Sequence, residues 1–127
     1  MAKIMIVEDE AIVAMSVRSK LRSLGYEVCD LVSRAEDALE NVAIEKPDLI
    51  IMDIVLSGRM NGIDAAREIR HHSAAPIIFT TGYFDEELAE EITSISASWL
   101  LQKPFGPEDI EQLVAEALLQ RGTNTHK

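Results

Sequence analysis

The stretch Leu49-Ile50-Ile51-Met52 runs into Asp53. Its four apolar residues leave no polar face, as a central parallel strand covered by helices on both sides requires, whereas a half-exposed strand alternates. Three other short runs share the pattern and stop on residues able to handle phosphate or metal. They are Ile4-Met5-Ile6-Val7 before Glu8-Asp9, Ile77-Ile78-Phe79 before Thr80-Thr81, and Trp99-Leu100-Leu101 before Gln102-Lys103. As neighbouring parallel strands, these runs would gather three carboxylates, a hydroxyl and an ammonium where open α/β sheets bind their ligands.

Between the runs, apolar residues recur at helical spacing. Val13, Val17, Leu21 and Leu24 line a first helix that Gly25 stops, and 26–32 reads as a second strand. Ser33-Arg34-Ala35-Glu36 fits a capping box for a helix with Ala35, Ala38, Leu39 and Val42 inward, closed by Pro47. A turn-rich loop over 57–62 precedes a helix through Ile63, Ala66 and Ile69. Asp85 can cap a helix that turns Leu88, Ile92 and Ile95 inward and Glu86, Glu87, Glu90 and Glu91 outward. Pro107 opens the last helix, whose inner stripe is Ile110, Leu113, Val114, Ala117 and Leu118. Strands alternating with helices across short connections predict an α/β fold, a doubly wound parallel sheet of five strands with helices on both faces.

The 127 residues make one domain, expected over 1–120, with a polar tail at 121–127 expected to be disordered. A formal net charge of −10 argues against direct contact with nucleic acid or anionic membranes. The N-terminal apolar run is far shorter than the roughly 20 residues of a membrane span, and the chain is expected in the cytoplasm. Cys29 is the single cysteine, so disulfide scaffolds and cysteine-rich metal sites are excluded.

Each polar terminus has an ordinary explanation when taken alone. Asp53 could cap a helix, Glu8-Asp9-Glu10 could be the dipole-matched start of the first helix, and Lys103 could be a surface lysine. Thr80 and Thr81 could serve only as strand formers. Taken together they describe a site: Glu8, Asp9 and Asp53 repel one another unless a cation enters, and a hard divalent ion such as Mg2+ suits all-oxygen donors. Lys103 can reach a phosphoryl oxygen or a carboxylate, and its bond to Pro104 is open to either isomer. His71-His72 reads as a surface pair at a helix end.

Val7-Glu8-Asp9-Glu10, Pro47 through Ile54, Asn61-Gly62, Thr81-Gly82 and Lys103-Pro104-Phe105 together resemble the receiver domain of two-component response regulators, in order and over nearly the whole chain. The resemblance implies a flavodoxin-like sheet of order 2-1-3-4-5. It implies Asp53 as phosphoacceptor, Mg2+ (or Mn2+) held by Glu8, Asp9, Asp53 and the backbone carbonyl of Val55, Thr81 as the switch hydroxyl, and Lys103 as the phosphate-binding lysine. Such a domain catalyses its own phosphorylation and dephosphorylation, taking the group from a sensor histidine kinase or phosphotransfer protein. The chain would then be a monomer or a phosphorylation-dependent dimer, either free-standing or part of a longer regulator.

Its readout surface is expected on the 85–94 helix, the 99–102 strand and the last helix, facing an unidentified downstream protein of basic complement. Two departures from the family pattern stand out. Leu100 occupies the position three before Lys103 that is usually aromatic, with Trp99 beside it, and Ser57-Gly58 replaces a common proline in a loop one residue longer. Two other classes compete. A flavin or nucleotide module would want glycines where Glu8-Asp9-Glu10 stands. An aspartyl phosphatase would carry a second acid where Val55 stands.

Overall fold

The computed structural model describes residues 1–123. Strand and helix alternate through them as β1 (Lys3–Val7), α1 (Ala11–Ser23), β2 (Glu27–Val28), α2 (Ala35–Glu45), β3 (Leu49–Asp53), α3 (Gly62–Arg70), β4 (Ile77–Thr81), α4 (Glu86–Thr93), β5 (Ser98–Gln102) and α5 (Pro107–Thr123). All strand pairs are parallel, and the sheet order is β2-β1-β3-β4-β5, as expected. No described helix is long and apolar enough to cross a membrane. Residues 124–127, part of the expected tail, lie outside the described residues.

β3 is the fully buried central strand that its composition demands, and successive side chains serve opposite faces. Ile50 and Met52 join Met5, Val7, Ile77 and Phe79 against residues of α2, α3 and α4. Leu49 and Ile51 join Ile4, Ile6 and Ile78 against α1 and α5, where Ala14, Val17, Leu21, Ile110, Val114 and Ala117 are buried. The helix stripes read from sequence are thus the faces that cover the sheet.

The expected second strand, 26–32, shrinks to Glu27–Val28. Cys29 N–H donates to Ile4 O at 2.9 Å and Val32 N–H to Ile6 O at 3.1 Å, so three steps of one chain face two of its partner. The extra residue breaks the ladder as a bulge does, leaving an isolated bridge between Val7 and Val32.

The capping box at 33–36 does not form either. Arg34, held extended by a bridge to Ser57, is the residue before α2 and makes no side-chain cap. The Glu36 carboxylate turns instead to accept from Arg59 N–H at 3.0 Å, because a tertiary donor replaces the local one. Asp85 does cap α4, accepting from Leu88 N–H at 2.8 Å, and Asn61 caps α3 through Asp64 N–H at 2.9 Å.

Candidate functional site

Parallel strands deliver all their C-terminal ends to one rim, so β1, β3, β4 and β5 present their terminal residues together. Backbone bonds carry the chain past each strand end: Glu8 N–H to Val32 O at 2.8 Å, Ile54 N–H to Thr80 O at 3.0 Å, Lys103 N–H to Thr81 O at 2.7 Å. Glu8 and Asp53 are buried, with 6% and 5% exposure, while Asp9 is exposed.

Glu8, Asp9 and Asp53 each offer an oxygen, and these atoms lie within 4.8 Å of one another. Lys103, whose bond to Pro104 is cis, reaches across the rim. Its Nζ donates to Glu8 Oε1 at 3.0 Å, Asp53 Oδ2 at 3.1 Å and Glu10 Oε1 at 3.4 Å. The other Asp53 oxygen accepts from Val55 N–H at 3.3 Å, and Glu8 Oε2 accepts from Glu10 N–H at 3.1 Å.

Burial pushes the Glu8 carboxyl up from 4.5 to about 7; Lys103 and the Glu10 N–H pull it back, and the Asp53 charge adds to the rise. Burial also disfavours the Lys103 ammonium, but its bonds to Glu8 and Asp53 outweigh that and hold it above its ordinary pKa. One ammonium does not neutralise three carboxylates, so Glu8 ionises only at a cost that a further cation would remove. An all-oxygen donor set, two acids buried and one open to water, suits a hard divalent ion that keeps part of its hydration. Val55 lines the same cavity, of about 360 Å3, together with Asp9, Glu10, Asp53, Gly82 and Lys103.

Thr81 sits at the end of β4, but its hydroxyl is engaged locally. Oγ1 donates to Tyr83 O at 2.9 Å and accepts from Tyr83 N–H at 3.2 Å. The structure therefore unites Glu8, Asp9, Asp53 and Lys103 and places Thr81 beside them with its hydroxyl turned into the loop. His71 and His72 are exposed at the end of α3.

Three contributors escape sequence reasoning. Glu10 supplies a third carboxylate to Lys103. Ser57 Oγ donates to Asp9 Oδ2 at 2.9 Å from 48 positions away. Gly62 packs so tightly under β3 that a Cβ there would stand 2.2 Å from Asp53 O. Each stands in a stretch that the sequence singles out, Val7-Glu8-Asp9-Glu10, Ser57-Gly58 and Asn61-Gly62, but the contacts themselves have no sequence signal.

Residues 4–115 match the family described as the response regulator receiver domain. The transcriptional regulatory protein PdtaR of Mycobacterium tuberculosis is 37% identical over 108 residues, 85% of this chain and 52% of the relative. The phyllosphere-induced regulator PhyR of Methylorubrum extorquens is 30% identical over 117 residues, 91% of this chain and 43% of the relative. The chain thus spans about half the length of these curated relatives. Among solved structures, the Vibrio cholerae chemotaxis protein CheY4 superposes with a TM-score of 0.85 at 28% identity, over 92% of this chain and 98% of that one. The signal receiver domain of a modulated diguanylate cyclase from Desulfovibrio desulfuricans gives 0.88 at 26% identity, over 98% of both chains. A family match spanning the whole sheet and the acid cluster at its rim settles the kinship: this chain belongs to the response regulator receiver domains, the signalling domains of two-component systems.

Proposed function

We propose that this chain is a phosphorylation-dependent signalling switch in which Asp53 accepts a phosphoryl group from a histidine kinase or phosphotransfer protein. The observation that carries the reading is the convergence of Glu8, Asp9 and Asp53 within 4.8 Å, with the Lys103 ammonium 3.1 Å from Asp53. An Asp53 carboxylate oxygen attacks phosphorus, the P–N bond of the donor phosphohistidine breaks, and the imidazole leaves with its electron pair and takes up a proton. Glu8, Asp9, Asp53 and the Val55 carbonyl are the groups that would hold Mg2+ (or Mn2+). That ion, when bound, offsets charge on the phosphoryl oxygens.

Lys103 transfers its donors from Asp53 to the incoming phosphoryl group, remaining charged because its pKa is raised. Glu8 and Glu10 keep the ammonium at the rim during the exchange. Water attack on the acyl phosphate reverses the modification, so the domain catalyses both its phosphorylation and its dephosphorylation without otherwise being an enzyme.

The phosphoryl group adds strong acceptors to the rim, and Thr81 exchanges its bond to Tyr83 O for one to them. Tyr83 and the start of α4 then shift, and the change is read on α4, β5 and α5. The exposed Glu86, Glu87, Glu90 and Glu91 favour a downstream protein with a basic face. The acidic chain acts in the cytoplasm, apart from membranes and nucleic acid.

Intact-mass measurement after incubation with Mg2+ and acetyl phosphate tests the acceptor. The wild type gains one phosphoryl mass that EDTA prevents, and Asp53→Asn gains none. A gain of the same size in Asp53→Asn refutes Asp53 as the acceptor.

A further inference from the structure

Ser57 lies in the loop between β3 and α3. Its Oγ donates to Asp9 Oδ2 at 2.9 Å, joining that loop to the end of β1 across 48 positions. The loop is held there from a third direction. Arg34, just before α2, pairs with Ser57 in a parallel bridge, and the Glu36 carboxylate accepts from Arg59 N–H at 3.0 Å. Gly58 between them has φ +104°, and a Cβ there would stand 2.9 Å from both Glu36 oxygens, so the clamp closes only over a glycine.

Asp9 needs such a partner. Among the three clustered acids, Glu8 and Asp53 are buried and bound to Lys103, whereas Asp9 is exposed and lacks that restraint. A solvent-exposed carboxylate samples several rotamers, and holding one of them for an ion costs conformational entropy at each binding event. A hydroxyl that donates to one carboxylate oxygen prepays part of that cost and leaves the other oxygen for the cation. Groups that orient ligands in this way typically change metal affinity by about 10- to 100-fold when removed.

From these contacts we infer that Ser57 is a positioning residue for Asp9, delivered by the Arg34–Glu36 clamp, and that it raises the affinity of the acid cluster for its divalent ion. The inference rests on the metal reading proposed above.

Mg2+ alone, titrated calorimetrically into wild type, Ser57→Ala and Ser57→Thr, separates the two, with melting in EDTA measured alongside. Ser57→Ala is expected to bind Mg2+ about tenfold more weakly, Ser57→Thr to recover most of the loss, and melting in EDTA to match wild type in both variants. If wild type binds Mg2+ and Ser57→Ala binds it equally or more tightly, the positioning role is overturned and the metal site stands. If wild type takes up no Mg2+, both are overturned. A Ser57→Ala that loses as much stability in EDTA as in Mg2+ marks the bond as loop support, which also overturns the inference.

Discussion

Replacing Gly62 with alanine sets two effects of opposite sign against each other. Gly62 is the first residue of α3 and its φ is not positive, so alanine suits the backbone and would, from helix propensity alone, gain up to about 1 kcal/mol. The added Cβ, however, stands 2.2 Å from Asp53 O and 3.0 Å from both Asp53 C and Ile54 Cα. Ordinary contact begins near 3.4 Å, so the groups must part by about 1 Å. Every atom met is backbone, and no rotamer change relieves the overlap. Overpacking of this kind costs about 1–3 kcal/mol, more where neither side can yield.

Here neither side yields easily. Gly62 N–H donates to Ile54 O at 2.8 Å, and β3 is hydrogen-bonded on both sides. The net expectation is a loss of about 2 kcal/mol, read as a lower urea midpoint with unchanged m and a melting temperature lower by roughly 8 °C. The displacement falls on Asp53 itself, so phosphorylation by acetyl phosphate slows as well. Gly82→Ala, whose Cβ would meet nothing within 4 Å, is the stability control and should stay within about 0.5 kcal/mol of wild type. A Gly62→Ala protein as stable as wild type, or more so, refutes the steric reasoning.

Three other perturbations follow from the same contacts. The Glu8 carboxyl is raised to about 7, so in EDTA its contribution to stability is fully present below pH 4.5 and is lost as pH rises through 7. Urea unfolding of Glu8→Gln should lack that decline, whose slope is at most about 1.4 kcal/mol per pH unit; parallel pH profiles for wild type and variant would contradict the assignment. Millimolar Mg2+ should raise the melting temperature, by the equivalent of about 2.7 kcal/mol at a hundredfold excess over Kd, and less in Asp9→Asn. A thermal scan showing no shift in the wild type counts against the metal site. The Arg70 guanidinium donates to Ser73 O, Ala75 O and Ser96 O at 2.9, 2.7 and 2.8 Å, tying the end of α3 to the turn before β5. Arg70→Ala should cost about 2–3 kcal/mol and Arg70→Lys less, since an ammonium keeps some of these bonds although it cannot span all the carbonyls; a loss below about 0.5 kcal/mol in Arg70→Ala would show the ties to be idle.

Strand and helix assignments were legible because burial imposes a period on neighbouring residues. Two-sided apolar runs mark Leu49 through Met52 as central, and the stripe Ile110, Val114, Ala117 marks the covering face of α5, with no knowledge of what each faces. The meeting of Glu8, Asp9, Asp53 and Lys103 was also legible, since a parallel sheet sends every strand's C-terminal end to one rim whatever lies between. Contacts between irregular segments left no such mark. The bulge that shortens β2, the desertion of the capping box by Glu36, the Ser57 bond to Asp9 and the turn of the Thr81 hydroxyl to Tyr83 each pair groups with no periodic relation along the chain. Local pattern encodes which face a residue shows; the partner that a loop side chain finds there depends on distances set by the packed sheet and helices, which exist only once the chain has folded.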